Sequence, residues 1–214
     1  MANVLVLGAN GKIAKLAEAQ LLVETDHRLT LFLRRANRLT ISNPDREQVI
    51  DGDVLDQAQL EKAMANQDIV YANLGNRDIE RQAQTVVAAM KATGVKRLIW
   101  ISTLGIYDEV PGNFGKWNHQ MLDGGYLETY SAAAKVIEAS GLDYTIIRPA
   151  WLSNNDIVSY EFTQKGDAFK GTEVSRRSIA DVVVKLINDP TKEIGHSIGV
   201  NQPHTDGDRR PSFY

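Results

Sequence analysis

The sequence predicts an α/β fold, a doubly wound parallel sheet with a small elaboration after it, on three observations. Short apolar runs at residues 4–7, 29–33, 48–50, 69–72, 98–101 and 144–147 alternate with amphipathic stretches, which is the pattern of strands joined by helices. Such alternation gives a parallel sheet covered on both faces. The first run also passes through a glycine-rich turn, Gly8 to Gly11, directly into a helical pattern. Finally, the alternation loosens after Pro149.

Each element has its own signal. The first helix begins near Gly11, because Ile13, Leu16, Ala17 and Leu21 recur at helical spacing and face the sheet. Ile79, Ala83, Val86, Val87 and Met90 form a second stripe that stops at Gly94, where a helix C-cap favours glycine. A helix over about 128–140 ends at Gly141, and the strand that follows is terminated by Pro149. Beyond it lie an irregular region to Thr172, a helix over about 178–188 and a last strand near 197–200. A second irregular segment, 104–125, holds Pro111, several glycines and the aromatics Phe114 and Trp117, and reads as a lid with exposed rings. With 214 residues and no linker, repeat or low-complexity tract, the chain reads as one domain, 1–214, in which 150–214 partly form a C-terminal substrate region.

Composition excludes several functions. Hydrophobic residues at 43% and charged residues at 24% are those of an ordinary globular chain, so disorder is not expected. The net charge of -3, with Arg34-Arg35 and Arg176-Arg177 only as pairs, supplies no basic face for nucleic acid. No cysteine is present, which removes disulfide, thiolate and cysteine-metal chemistry. His27, His119, His196 and His204 lack metal-ligand spacing and read as surface or loop residues, so no metal is expected. No stretch reaches transmembrane length and the N-terminus carries no signal-peptide pattern, so a cytoplasmic location without membrane contact is the expectation.

The turn Gly8-x-x-Gly11-x-x-Ala14 carries the chemistry. Small residues let the chain turn tightly and let main-chain amides at a helix N-terminus approach a pyrophosphate, so Gly8, Ala9, Asn10, Gly11, Lys12 and Ile13 are candidate contacts to a dinucleotide. The spacing alone is weak, and a tight turn without ligand is the alternative; its place in the first strand-helix turn of an alternating chain is the context the motif requires. After the second strand, NAD-selective proteins carry an acid for the ribose 2′-hydroxyl, whereas Leu33 is followed by Arg34-Arg35. Their forked guanidiniums suit a 2′-phosphate, so NADP(H) is expected in preference to NAD(H), unless both are simply solvated. After the third strand, Asp53-Val54 can accept from an adenine amino group and pack its ring, or form a solvated turn.

These segments, together with Asn73-Leu74-Gly75, the run Ile99-Trp100-Ile101-Ser102-Thr103 and the stretch Leu142-Asp143-Tyr144-Thr145-Ile146-Ile147-Arg148-Pro149, resemble the atypical short-chain dehydrogenase/reductases, most closely the NmrA-like NAD(P)-binding group. The resemblance covers nearly the whole chain. It implies a Rossmann core with a cleft outside the carboxyl ends of the strands, in a group that includes reductases, epimerases and catalytically silent cofactor sensors. By position it implies Gly8, Asn10, Gly11, Lys12 and Ile13 on the pyrophosphate and Arg34 and Arg35 on the adenosine phosphate. Asn73, Leu74 and Gly75 would hold the nicotinamide-side ribose, and Pro149, Ala150 and Trp151 would flank the nicotinamide. Ser102 or Thr103 would polarise a substrate carbonyl.

The same group uses Tyr-x-x-x-Lys as proton source and ribose clamp, and that spacing fails here. Tyr130 stands five residues before Lys135, so the two diverge by roughly 140° around a helix. Lys135 keeps a possible ribose contact, and Tyr126 stands further off still. Two functions remain open. One is a reductase of a quinone, flavin or small carbonyl whose proton comes from solvent; the other is an NADP(H) sensor or regulatory module that catalyses nothing. Trp117, Trp151, Phe114 and Tyr107 form either a slot for a planar acceptor or the packing of a lid.

Overall fold

The structure, a computed structural model, describes residues 1–122 and 124–214. The N-terminal half runs β1 (Asn3–Leu7), α1 (Lys12–Glu24), β2 (Arg28–Leu33), β3 (Glu47–Asp51), α2 (Gln57–Met64), β4 (Ile69–Ala72), α3 (Ile79–Thr93) and β5 (Arg97–Ile101). It continues through α4 (Gly112–Leu122), α5 (Tyr126–Glu138), β6 (Asp143–Pro149), β7 (Trp151–Ser153), β8 (Glu161–Thr163), β9 (Glu173–Ser175), α6 (Arg176–Asn188) and β10 (His196–Asn201).

The sheet order is β3-β2-β1-β4-β5-β6-β10-β8, parallel throughout except for β8, which runs antiparallel to β10. The direction of winding reverses between β1 and β4, and an open parallel sheet binds its ligand in the crevice at that reversal, outside the carboxyl ends of the strands. The apolar runs are continuous because each strand is buried on both sides. Val4, Val6, Leu29, Leu31, Ile99 and Ile101 point to the layer of α1 and α6, while Leu5, Leu7, Leu98 and Trp100 point to that of α2, α3 and α5. These are the Rossmann core and doubly wound sheet that the sequence predicts.

Four expectations need correction. The segment 104–125 is not an irregular lid, since it contains α4, and Phe114 and Trp117 are buried rather than exposed. Its glycines disguise the helix for packing reasons. A Cβ on Gly115 would stand 2.0 Å from the Val110 carbonyl oxygen, so glycine is there to let two chains approach. The cap comes from far away: the Asp208 carboxylate accepts from the amides of Asn113 and Phe114, the latter at 3.1 Å. The region up to Thr172 is likewise not wholly irregular, as β7 pairs in parallel with β9 and β8 extends the main sheet. These strands are three residues long, too short for a periodic signal. The last helix starts at Arg176, because the Ser175 hydroxyl caps it by accepting from Ser178 N at 2.9 Å. Finally, His27 is buried: its Nδ1 accepts from Ala2 N at 2.9 Å and its Nε2 meets Asn188 Oδ1 at 2.9 Å, which holds the ring between the ends of two elements.

Candidate functional site

The crevice at the winding reversal holds a cleft built from four successive loops. Gly8 and Asn10 come from the turn after β1, Arg34 and Arg38 from the segment after β2, Val54 from the one after β3, and Asn73, Leu74, Gly75 and Asn76 from the one after β4, with Gln82 of α3 as the floor. Gly8 takes φ +78, and a Cβ there would stand 2.4 Å from the Asn73 carbonyl oxygen, so the tight turn needs glycine on both counts. Gly11 N donates to Gly8 O at 2.9 Å and closes the turn. Gly11 then starts α1 without a side-chain cap and without an acid in the first turn, leaving the first amides of the helix to an outside acceptor.

The position of each candidate residue can be read directly. Gly8, Asn10, Arg34, Val54, Asn73, Leu74 and Gly75 line this one cleft. Ala9 and Ile13 are buried beneath it, so only their main chains face the turn, and Lys12 is exposed at the first position of α1. Asp53 stands beside the cleft with its carboxylate 3.7 Å from Arg34, both groups well exposed, and it also accepts from Leu55 N at 3.0 Å. Arg35 does not line the cleft. Asp51 accepts from the amides of Arg35 at 3.1 Å and Ala36 at 3.0 Å, holding Arg35 in the left-handed conformation at φ 54. The second guanidinium on the cleft is Arg38, which donates to the carbonyls of Arg34 at 2.9 Å and Arg35 at 3.2 Å. Sequence reasoning passed over Arg38; the available signal was its place four residues after Arg34, one helical turn on.

A dinucleotide fits these residues on a direct structural test. Gln82 is buried, its Nε2 donates to Asn76 Oδ1 at 3.3 Å, and its Oε1 has no partner among the described residues although the side chain lines the cleft. An orphaned buried carbonyl oxygen is costly, and an amino group of an entering ligand would satisfy it.

A second pocket, of about 340 Å³, opens past the ends of β5 and β6. Thr103, Tyr126, Ala150, Trp151, Arg176 and Tyr214 are among its walls. Trp151 is fixed by its Nε1, which donates to Asn118 Oδ1 at 2.9 Å, and by Trp117 at 4.7 Å between ring centroids. Tyr214 packs edge-on to both indoles at 5.0 Å. Of the four expected aromatics only Trp151 is in this lining; Tyr107, Phe114 and Trp117 are not, and Phe114 stacks on the buried Trp117 at 5.9 Å behind it. Thr103 is held by its neighbours, since Ser102 N donates to Ile147 O at 2.7 Å and Leu104 N to Pro149 O at 3.2 Å. Ser102 itself is buried, with no partner for its hydroxyl among the described residues. The loop beyond Thr103 is tied down by a buried ion pair between Arg148 and Glu109, whose carboxylate also accepts from Gly105 N at 3.0 Å and Tyr107 N at 2.9 Å.

The two tyrosines of α5 lie between these cavities. Tyr126 and Tyr130, one turn apart, stack at 4.5 Å between centroids. Tyr126 faces the second pocket, and the Tyr130 hydroxyl stands 3.1 Å from where a Cβ on Gly75 would be, at the wall of the first. Burial, reinforced by the adjacent Tyr126 phenol, holds the Tyr130 phenol well above the ordinary tyrosine range, against a weaker opposing hydrogen bond from the Asn76 main chain. Lys135 is elsewhere, in a separate groove with Tyr107, His119 and Ser131. The five-residue spacing accounts for this: once Tyr130 faces the crevice, Lys135 turns to another side of α5. Sequence reasoning set Tyr126 aside because it measured distance from Lys135; the signal it missed was Tyr126-x-x-x-Tyr130.

Comparison with known proteins agrees with this geometry. Residues 8–190 match the family described as NAD(P)H-binding. A Rossmann-fold NAD(P)-binding family protein of Shigella flexneri is 46% identical over 100% of both chains, with a TM-score of 0.85. A short-chain dehydrogenase/reductase of Veillonella parvula, solved in complex with NADP, is 31% identical over 99% of both chains, with a TM-score of 0.90. YhfK of Bacillus subtilis, described as an uncharacterized sugar epimerase, is 26% identical over 203 residues, 89% of this chain and 90% of that protein. The protein therefore belongs to the NAD(P)H-binding family, on the short-chain dehydrogenase/reductase side of the Rossmann fold.

Proposed function

We propose that the protein is an NADP(H)-dependent oxidoreductase that transfers hydride to a small planar acceptor, a quinone, a flavin or a carbonyl compound, in the Trp151 pocket. The observation that carries this reading is the Tyr126–Tyr130 stack, which joins a dinucleotide cleft to a second, aromatic-walled cavity. A pure binding module needs the first cavity but not the second.

The residues divide the work. When bound, the dinucleotide supplies a hydride, two electrons and one proton's worth of hydrogen, to an electrophilic atom of the acceptor. Arg34 and Arg38 give the cleft two forked cations, which supports a preference for the 2′-phosphate of NADP(H) over the bare ribose of NAD(H). Thr103 offers a hydroxyl donor to an oxygen that gains charge during the transfer. Tyr126, facing the pocket, holds a proton at its phenol for that oxygen, and Trp151 and Tyr214, backed by Trp117, exclude water from one side. Tyr130 is a poor acid in its buried setting and serves as a positioning residue for Tyr126.

The test is NADPH oxidation measured against a panel of quinones, flavins and small aldehydes. Turnover is expected, and Tyr126→Phe should lower kcat on an aldehyde by about 100-fold or more, the usual worth of a positioned proton donor. A quinone, which can take its proton from solvent, should be much less affected. NADPH binding without turnover of any acceptor would replace this reading with that of a cofactor sensor.

A further inference from the structure

Among the described residues, the side chains that line the second pocket carry one charge. Arg176 is the cation in its lining; the other described wall residues are apolar, aromatic or hydroxyl-bearing, with no Asp or Glu among them. Among the described residues, no carboxylate lies within ion-pair distance of Arg176, although the neighbouring Arg177 pairs with Asp156. Among the described residues, the side-chain hydrogen bonds of Arg176 all come from one nitrogen: Nη1 donates to Leu152 O at 2.9 Å, Ser153 O at 3.2 Å and Asn154 Oδ1 at 2.8 Å. These neutral acceptors hold the guanidinium in place, and Nε and Nη2 have no partner among the described residues. Partial burial pulls the group below its ordinary range, which is the sign of a cation without compensation.

From this arrangement we propose that the acceptor is a flat conjugated molecule bearing a carboxylate, its ring stacked among Trp151, Tyr126 and Tyr214 and its anion held in a fork by Arg176 Nε and Nη2. The inference rests on the reading of the second pocket as the acceptor site. Chemistry on each side matches: indole and phenol faces suit a planar π-system, and two parallel N–H donors suit the two oxygens of a carboxylate. A neutral acceptor would shut the guanidinium away from water with nothing in return, so the pocket selects against it as well as for the anion. The volume, near the small end of the range for small-molecule sites, limits the conjugated body to a few fused rings.

The test uses non-reducible ligands, so that it does not depend on turnover. Naphthoate and its neutral counterpart naphthamide are titrated calorimetrically into the full chain, with and without NADP⁺. A charge-assisted fork predicts about ten- to hundred-fold tighter binding of naphthoate. In Arg176→Met the naphthoate affinity should fall to that of naphthamide, and Arg176→Lys should keep part of the preference through its point charge. Should Arg176→Met fail to fold, the wild-type ratio and Arg176→Lys carry the test. Equal affinities in the wild type, or a preference that survives in Arg176→Met, would overturn the inference. A carboxylate preference without any NADPH oxidation would instead leave the anion site standing and remove the reductase.

Discussion

The two cavities of the crevice are built in opposite ways. The dinucleotide cleft is drawn from consecutive loops between Gly8 and Gln82, each fixed by contacts to its immediate neighbours in the sheet. The second pocket gathers Thr103, Tyr126, Trp151, Arg176 and Tyr214 from five separated parts of the chain. Its supports are longer-range still: Asp208 caps α4, Glu173 accepts from Ser212 Oγ at 2.8 Å, and Arg148 ties down the loop after β5. A cleft of local parts tolerates distant change, whereas a pocket of distant parts is sensitive to any one of its ties. Cofactor binding and acceptor handling should therefore be separable by mutation.

The largest separation is expected at Arg148. Both members of the Arg148–Glu109 pair are almost wholly buried, at 0% and 5% side-chain exposure. Arg148→Met leaves a buried carboxylate unpaired, and losing one partner of such a pair costs about 3–5 kcal/mol. Urea unfolding should show that loss, and acceptor turnover should fall with it. A change below about 1 kcal/mol would mean that the pair does not anchor this half.

A second effect belongs to the cofactor half alone. Burial, then the nearby Glu47, raises the Glu18 carboxyl on α1 to about 8. The folded state thus holds a proton that the unfolded chain releases near 4.5, so the stabilising contribution is full below that pH and is lost as pH rises through about 8. Glu18→Gln should flatten the stability profile between these limits and raise stability at the alkaline end by a few kcal/mol at most. A profile unchanged by the substitution would place the titration elsewhere.

The smallest effect is the most specific. Asp208→Ala removes a helix cap worth about 1 kcal/mol and frees the tail that carries Tyr214 over Trp117 and Trp151. Affinity for naphthoate should drop while NADPH affinity stays as it was; equal losses in both would erase the distinction between the halves.

The same division sets what was legible in the sequence. The longer strands β1 to β6 and β10, α1, α3 and the Gly8–Gly11 turn were readable because each is encoded by its own periodicity and its own stop signals, whereas the three-residue β7, β8 and β9 were not. Arg34 and Val54 were singled out by their place after a strand and Asn73 by the family resemblance, and all three line the cleft. Helix α4 was not readable, because Gly112 and Gly115 imitate a loop and the cap lies 94 residues from Phe114. Arg176 was visible only as half of an arginine pair, since its isolation from acids is a property of the folded pocket. The place of Tyr126 in the second pocket was not visible, because its distance from Lys135 rather than its stacking on Tyr130 was the measure.

The central claim is that the first cleft takes NADP(H) and that its arginines select it. Calorimetric titration of the protein with NADPH and NADH, repeated with Arg34→Ala, tests this most directly. The account predicts tighter binding of NADPH, reduced about ten- to hundred-fold in Arg34→Ala, with NADH nearly unaffected. Equal affinities for the two nucleotides, or a preference that persists in Arg34→Ala, would contradict it.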